Sequence, residues 1–596
     1  MSAIGAFRTL SPYFRRHRGA YFRGVAWILL TTACTQAIPW LLGRAVDSLR
    51  SPERTHLLGI YCLVVVGLAL LGGAFRYRMR RDIIGASRHI EYELRNQLFA
   101  HLTRLDPAWF DRSRTGDLMT RASSDLEAVR AVVGPSFMYF SNTILAIGSS
   151  LVLMLLIDPK LTLWALFPLP ALALLTRYLG RAIHGRQMRV QEQESRLNGR
   201  VQESLAGIRV VQSYVQEDHE LEDFANLSSE LIRRNLQLVR VWGLFFPSMA
   251  LVVGTGTILF LWIGGQQVIR DAITLGDFVA FSGYLMRLTW PMIAIGWVVN
   301  QVERGAASMQ RIDVVLRTQP TIRDPESRPR LAPMRGEIVF DHVTFAYGDG
   351  PPVLQDIDLR VRAGETLALV GPTGSGKSTL LALVARLYDA TAGAVRVDGH
   401  DVREVPLAWL RTGIAVVPQE TFLFSDTLRA NLEFGILDGG GDEVPASDIS
   451  ARTGRIETAA EVAQLLDSIR EFPDGFETIL GERGITLSGG QKQRTAIARA
   501  VLRDARVLLL DDCLSSVDTH TEEEILKRLR LVMRERTSLV VAHRVSTVRS
   551  ADRIIVLDQG RIVEEGTHDT LVARGGYYAR LVRKQMLREE LESDLL

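Results

Sequence analysis

A chain of 596 residues is longer than one hydrophobic core organises, so at least two domains are expected. The formal net charge is only +3, from 70 Lys and Arg against 67 Asp and Glu, which provides no basic surface for nucleic acid. Three cysteines, Cys34, Cys62 and Cys513, make neither a disulfide framework nor a metal-ligand spacing, as suits a reducing cytosol.

At the N-terminus, Phe7, Leu10, Tyr13 and Phe14 alternate with Arg15, Arg16 and Arg18, the pattern of either an interfacial helix or a flexible tail. The apolar stretch that follows is too long for a signal peptide, and more such stretches come after it. A helix needs about 20 mostly apolar residues to cross a bilayer. Six segments meet that requirement: 24–46, 57–79, 137–157, 161–180, 243–265 and 277–299. Between them, 80–136 and 181–242 are long, charged and poor in breakers, so they read as helical continuations of the spans. Arg80, Arg81, Arg88, Arg95 and Arg104 in the first, and a similar density in the second, place both on the cytosolic side, with both termini. Arg50, Arg54 and His56 in the opposite loop run against that orientation. The last span holds Arg287 and Pro291; a charge at that depth either lines a cavity or is paired or snorkelling.

This division gives a helical membrane domain over 1–320, a Pro/Arg-rich linker over 321–335, an α/β domain over 336–575 and a helical tail over 576–596. In the α/β domain, Thr366-Leu-Ala-Leu-Val370 is a short apolar run suited to a buried parallel strand. It leads into Gly371, Pro372, Thr373, Gly374, Ser375, Gly376, Lys377, Ser378 and Thr379, which is G-x-x-x-x-G-K-S between a strand and a helix. Glycines let backbone amides curl around phosphates, Lys377 reaches the β and γ phosphates, and the Ser378 hydroxyl suits Mg²⁺. The run Val507-Leu-Leu-Leu510 then sets Asp511 at a strand's carboxyl end, the expected Mg²⁺ partner. ATP and Mg²⁺ are therefore the expected cofactors.

Leu487-Ser488-Gly489-Gly490-Gln491, followed by Lys-Gln-Arg-Thr-Ala-Ile-Ala-Arg-Ala500, resembles the signature of ABC transporter ATPases. With the six spans, the whole chain resembles an exporter-type half-transporter: a six-helix membrane bundle fused to a P-loop ATPase with a helical subdomain. In that family the signature grips ATP held by the opposing subunit, so Ser488, Gly489, Gly490 and Gln491 are expected nucleotide contacts across an interface. The resemblance also assigns adenine stacking to Tyr347, Mg²⁺ and water contact to Gln419, an interface loop to Ser515-Ser-Val-Asp518, and γ-phosphate sensing to His543. Gly481-Glu482-Arg-Gly484 resembles an element of exporters rather than importers, and turns near Asp111 to Gly116 and Gly207 to Val211 resemble the coupling helices.

Two departures stand out. After Asp511 the family usually has a glutamate as general base, and this chain has Asp512. Aspartate is one methylene shorter, and a misplacement of about 1 Å costs on the order of 100-fold in rate. An intact signature beside a weakened base resembles the degenerate-site chain of heterodimeric multidrug exporters. The expected function is thus export of an amphipathic drug, lipid or peptide by alternating access, in a bacterial-type membrane and with a second half-transporter. The alternatives are a homodimer in which Asp512 works, or a membrane-bound ATP-gated regulatory subunit. The second departure, the Gly-rich run from Leu437, reads as a surface insertion, and the tail as a solvent-exposed helix.

Overall fold

The computed structural model describes residues 7–50, 56–326, 331–436, 449–481, 484, 486–542 and 544–593. They form two compact units, Met1–Ala100 with Met119–Arg317, and His101–Leu118 with Thr318–Leu596.

The first unit is all helix. Ser11–Ser48, Leu57–Leu102, Glu217–Ile269 and Leu275–Arg317 run 38, 46, 53 and 43 residues, so each apolar span continues without a break into a charged stretch. The third span, Phe137–Ile157, is reached through two π-helical turns, Arg121–Asp125 and Val132–Ser136. The fourth is split into Pro159–Leu166 and Leu169–Ala206, because Pro168 and Pro170 lack the amide hydrogens a continuous helix needs. Among the described residues five helical stretches are long and apolar enough to cross a membrane. The expected sixth span, 277–299, lies within the helix Leu275–Arg317, and residues 22–299 thus hold all six expected stretches in helical form.

Large apolar side chains such as Leu63, Leu70, Leu156, Leu251 and Trp262 stand exposed on these helices, a surface suited to lipid rather than water. Inside the unit, the rings of Phe260, Phe278 and Phe281 stack at 4.5 and 5.3 Å. The first and last helices approach closely at Gly43 and Gly276, where the Asp47 carboxylate accepts from the Gly276 amide at 2.7 Å and Thr274 Oγ1 at 2.8 Å. Among the described residues no separate N-terminal interfacial helix forms. A 3₁₀ turn, Phe7–Leu10, leads into the first long helix, and Arg16 and His17 of that helix bind Glu93 at 2.7 and 3.0 Å.

The second unit holds two sheets. One is antiparallel, in the order β2 (Pro352–Val361), β1 (Ile338–Ala346), β4 (Ala392–Val397) and β5 (His400–Asp401). The other runs β10 (Arg561–Gly566), β9 (Arg553–Asp558), β3 (Thr366–Val370), β8 (Thr537–Val541), β7 (Val507–Asp511) and β6 (Ile414–Val417). All its neighbours are parallel except β10 with β9. Strand β7 is buried through Leu510, the mark of a sheet covered on both faces.

One core, with Phe340, Leu354, Leu380 and Leu539, lies between the sheets, and the other, with Leu432, Ile456, Ile497 and Leu529, joins the large sheet to the helical subdomain. The tail helix Tyr577–Ser593 departs from the expected exposed helix: Tyr578 and Val582 are buried in the second core, and Gln585 Oε1 accepts from the Val545 amide at 2.7 Å.

Candidate functional site

Strands β3, β8, β7 and β6 are adjacent and parallel, so the segments leaving their carboxyl ends emerge along one edge, where open α/β sheets bind ligands. The segment after β3 is the Lys377 loop. Gly376 caps helix Lys377–Val384 at φ +101°, and a Cβ there would lie 2.6 Å from Leu354 Cδ2, so glycine is required. Gly371, also at positive φ, leaves no room for a Cβ against the Leu557 carbonyl. Thr373, Gly374 and Ser378 are exposed, whereas Ser375, Lys377 and Thr379 are buried. Lys377 Nζ donates to the carbonyls of Gly371 at 2.9 Å and Pro372 at 2.8 Å. Burial pulls the pKa of this amine down, and the nearby carboxylates of Asp511 and Asp512 oppose the shift. The result is a cation at a helix start, an arrangement that holds phosphate.

Two strands over, Asp511 ends β7 and Asp512 follows with φ +45°, a left-handed conformation aspartate tolerates better than most residues. The Asp512 amide donates to the Val541 carbonyl at 3.0 Å, and its own carbonyl accepts from Ser515 at 3.4 Å. With the backbone held at both ends, side-chain length alone sets how far the carboxylate reaches. A cavity of about 120 Å³ opens beside it, lined also by Cys513, Glu522, Arg544 and Thr547. Gln419, two residues past β6, is exposed at the same edge. Exposed Ser378 and Gln419 and half-buried Asp511 offer hydroxyl, amide and carboxylate oxygens, the hard donors that Mg²⁺ prefers. Among the described residues no cluster of three or more His, Cys, Asp or Glu forms, so Mg²⁺ here would take its remaining ligands from phosphate and water.

Tyr347 packs edge-on against Phe345 and Tyr388 at 4.8 and 5.2 Å, and its hydroxyl lies 3.0 Å from Thr379 Oγ1. Tyr388 donates to Asp111 at 2.7 Å; burial and that carboxylate together push the phenol's pKa up. Asp111 ends a short helix, Pro107–Asp111, and the backbone there is tied down by Asp106, whose carboxylate accepts from the Thr321 amide at 3.0 Å. The segment His101–Leu118, read from sequence inside the 1–320 stretch, thus clusters with the sheet unit, and a cavity of about 490 Å³ lies between Tyr347, Tyr388, Asp111, Arg112 and Thr321. Sequence reasoning missed Tyr388. Its signal was an aromatic–acid pair, Tyr388-Asp389, just past the Lys377 helix. The second expected coupling turn is a separate short helix, Ile208–Ser213, in the first unit.

The signature opens helix Gly489–Leu502 with a reciprocal cap: Ser488 Oγ accepts from the Gln491 amide at 3.3 Å, and Gln491 Oε1 from the Ser488 amide at 3.0 Å. Ser488 and Gly489 remain exposed. Buried Gln493 donates to Ser515 Oγ at 2.9 Å and accepts from the Ser516 amide at 2.8 Å, fixing the Ser515–Asp518 segment to the signature helix. Asp518 caps the next helix through the Thr521 amide at 2.9 Å, and that hydrogen bond lowers its pKa. Among the described residues no hydrogen bond joins Ser488, Gly489 or Gly490 to the Lys377 loop. Buried Glu522 pairs with Arg544 and accepts from Thr547 at 3.1 Å; this link between the Asp518 helix and the segment after β8 was also not foreseen. His543, Glu482 and residues 437–448 lie outside the described residues.

A Lys377 loop, carboxylates at the next strand ends and a capped signature helix, fused to a bundle of lipid-suited helices, have counterparts among known proteins. Residues 22–292 match the ABC transporter transmembrane region and residues 354–515 the ABC transporter ATPase family model. Over 591 residues, 98% of each chain, the sequence is 34% identical to a probable multidrug resistance ABC transporter ATP-binding/permease protein, YheI, of Bacillus subtilis (strain 168). The chain is an ABC transporter. It is similar also to the ATP-dependent lipid A-core flippase of Syntrophus aciditrophicus (strain SB), 33% identical over 99% of this chain and 96% of the relative. A bacterial Atm1-family ABC exporter solved with ATP bound superposes with a TM-score of 0.77 at 27% identity, covering 96% of this chain and 99% of that one. This ABC exporter is an integral membrane protein that joins a helical transmembrane domain to an ATPase domain and couples ATP hydrolysis to transport.

Proposed function

We propose that this chain is one half of a heterodimeric exporter of amphipathic molecules, drugs, lipids or peptides, in a bacterial-type membrane, and that the ATP site on its own Lys377 loop hydrolyses slowly. The observation that carries the reading is Asp512: a short carboxylate on a backbone hydrogen-bonded at both ends, beside a fully capped signature. The missing methylene cannot be recovered by a backbone shift without breaking the hydrogen bond to Val541.

In this reading the Gly371–Ser378 loop and Thr379 hold the ATP phosphates, and Tyr347 stacks on the base. Ser378, Asp511 and Gln419 would hold Mg²⁺, which offsets charge on the phosphates, and Gln419 and His543 would orient the water and the γ-phosphate. Ser488, Gly489, Gly490 and Gln491 complete the partner's site, whose glutamate carries most of the turnover. The Ile208–Ser213 helix and the Asp111 segment transmit the motion.

In the co-purified complex, Asp512→Glu raises ATP turnover, and removing the partner's glutamate stops it. Equal losses on neutralising either acid would establish symmetric sites instead.

A further inference from the structure

Glutamate is almost never fully buried without a partner, and Glu522 is 1% exposed. It stands in the first turn of helix Thr519–Met533, which Asp518 caps. Its carboxylate accepts from Thr547 Oγ1 at 3.1 Å and pairs with the Arg544 guanidinium, two partners supplied by the chain just after β8. Apolar side chains of similar volume often replace such a pair without loss of stability, so the pair is better suited to fixing a geometry than to adding stability.

What it fixes has little structure of its own. Helix Val545–Val548 is one turn long, and Arg544 at its N-cap makes no side-chain capping bond. Two holds stand in for the cap: Glu522 takes Arg544 and Thr547 together, and Gln585 of the tail accepts from the Val545 amide at 2.7 Å. On the other side, Val541 at the end of β8 lies opposite Asp511 in the sheet, and its carbonyl accepts from the Asp512 amide at 3.0 Å. Only Ala542 and His543 separate these two anchors in the chain. With both ends of so short a connection fixed, the hold on Arg544 limits the conformations open to the residue before it. Asp512, Glu522, Arg544 and Thr547 also line one cavity, of about 120 Å³, so the hold lies beside the acid that follows β7.

We propose that Glu522 is a positioning residue of the nucleotide site: by holding Arg544 and Thr547 it aims His543 at the γ-phosphate, and it thereby sets this chain's preference for ATP over ADP. The proposal rests on the reading of the Lys377 loop as an ATP site and deepens it. It requires no hydrolysis at Asp512, because the two nucleotides differ by a charged phosphate that only ATP offers to a hydrogen-bond donor. One such bond, well aimed, separates the two affinities by about tenfold.

The test is a competition at equilibrium. The co-purified complex is photolabelled on ice with radioactive 8-azido-ATP, and the label on this chain is displaced by ATP or by ADP. In the unaltered chain ATP should act at about tenfold lower concentration than ADP. Glu522→Gln, which keeps the shape but not the charge, should bring the two midpoints together. Combined with His543→Gln it should do no more than His543→Gln alone, because the first residue acts through the second. Thr547→Val, a milder change that leaves the ion pair, should narrow the difference part of the way. Glu524→Gln removes an exposed carboxylate from the same helix and should leave the difference unchanged. An unchanged difference in Glu522→Gln, whatever its melting temperature, reduces the pair to structural support and overturns the proposal. Additive losses in Glu522→Gln and His543→Gln also overturn it. If Glu522→Gln does not assemble, Thr547→Val decides on the same terms. Equal displacement by both nucleotides in the unaltered chain overturns the proposal while leaving the ATP site intact. No displaceable, Lys377-dependent label on this chain overturns the ATP-site reading and the proposal together.

Discussion

The Lys377 loop and the Ser488 signature are both helix starts of the kind that grip anions, and they sit in the same unit, yet their groups are satisfied in opposite ways. In the loop, glycines in left-handed conformations fold the backbone onto a buried lysine, which is held by two carbonyls of its own loop. At the signature, side chain and backbone cap one another and the serine stays exposed. The first is enclosed within one chain. The second is open, and Gln493 ties its helix to Ser515 and Ser516, the preformed surface that the proposed reading assigns to nucleotide held on the partner. In the proposed reading, a subunit with a short base and an intact signature serves its partner's site better than its own.

The largest effect separates these two regions. Ser488→Arg should lower turnover of the complex by on the order of 100-fold, the size of losing a group that stabilises transition-state charge, while ATP binding to this chain persists. Nucleotide photolabelling beside a turnover assay checks both. Gly371→Ala should disrupt this chain's own loop, because the added methyl meets the Leu557 carbonyl in a strained conformation. A cost of about 1–3 kcal/mol is expected, seen as a lower melting temperature and loss of label on this chain. Asp512→Glu should raise steady-state turnover roughly two-fold by adding a second working base, whereas Asp512→Asn should change it by less than that. The smallest effect belongs to the tail: Gln585→Ala removes one hydrogen bond to the Val545 amide, about 1 kcal/mol, and should slightly lower the ATPase unit's thermal stability.

The parts readable in sequence were those with strong local chemistry. The apolar runs gave the spans, and the strand, glycine loop and lysine gave the phosphate site, because backbone curvature and burial demand those residue types in that order. The Ser-x-x-Gln spacing of the signature likewise encodes its own cap. What escaped depends on distant pairing. Nothing local joins Tyr388 to Asp111, 277 positions away, or Glu522 to Arg544, and the left-handed turn at Asp512 is fixed by Val541 on a neighbouring strand. The two π-helical turns before Phe137 leave no compositional trace.

The central claim is that hydrolysis is unequal between the two ATP sites. It is tested most directly by photolabelling the assembled complex with radioactive 8-azido-ATP during a single turnover and identifying the nucleotide on each chain. The account predicts intact ATP on the chain bearing Lys377 and ADP on its partner. ADP in equal amounts on both would contradict it.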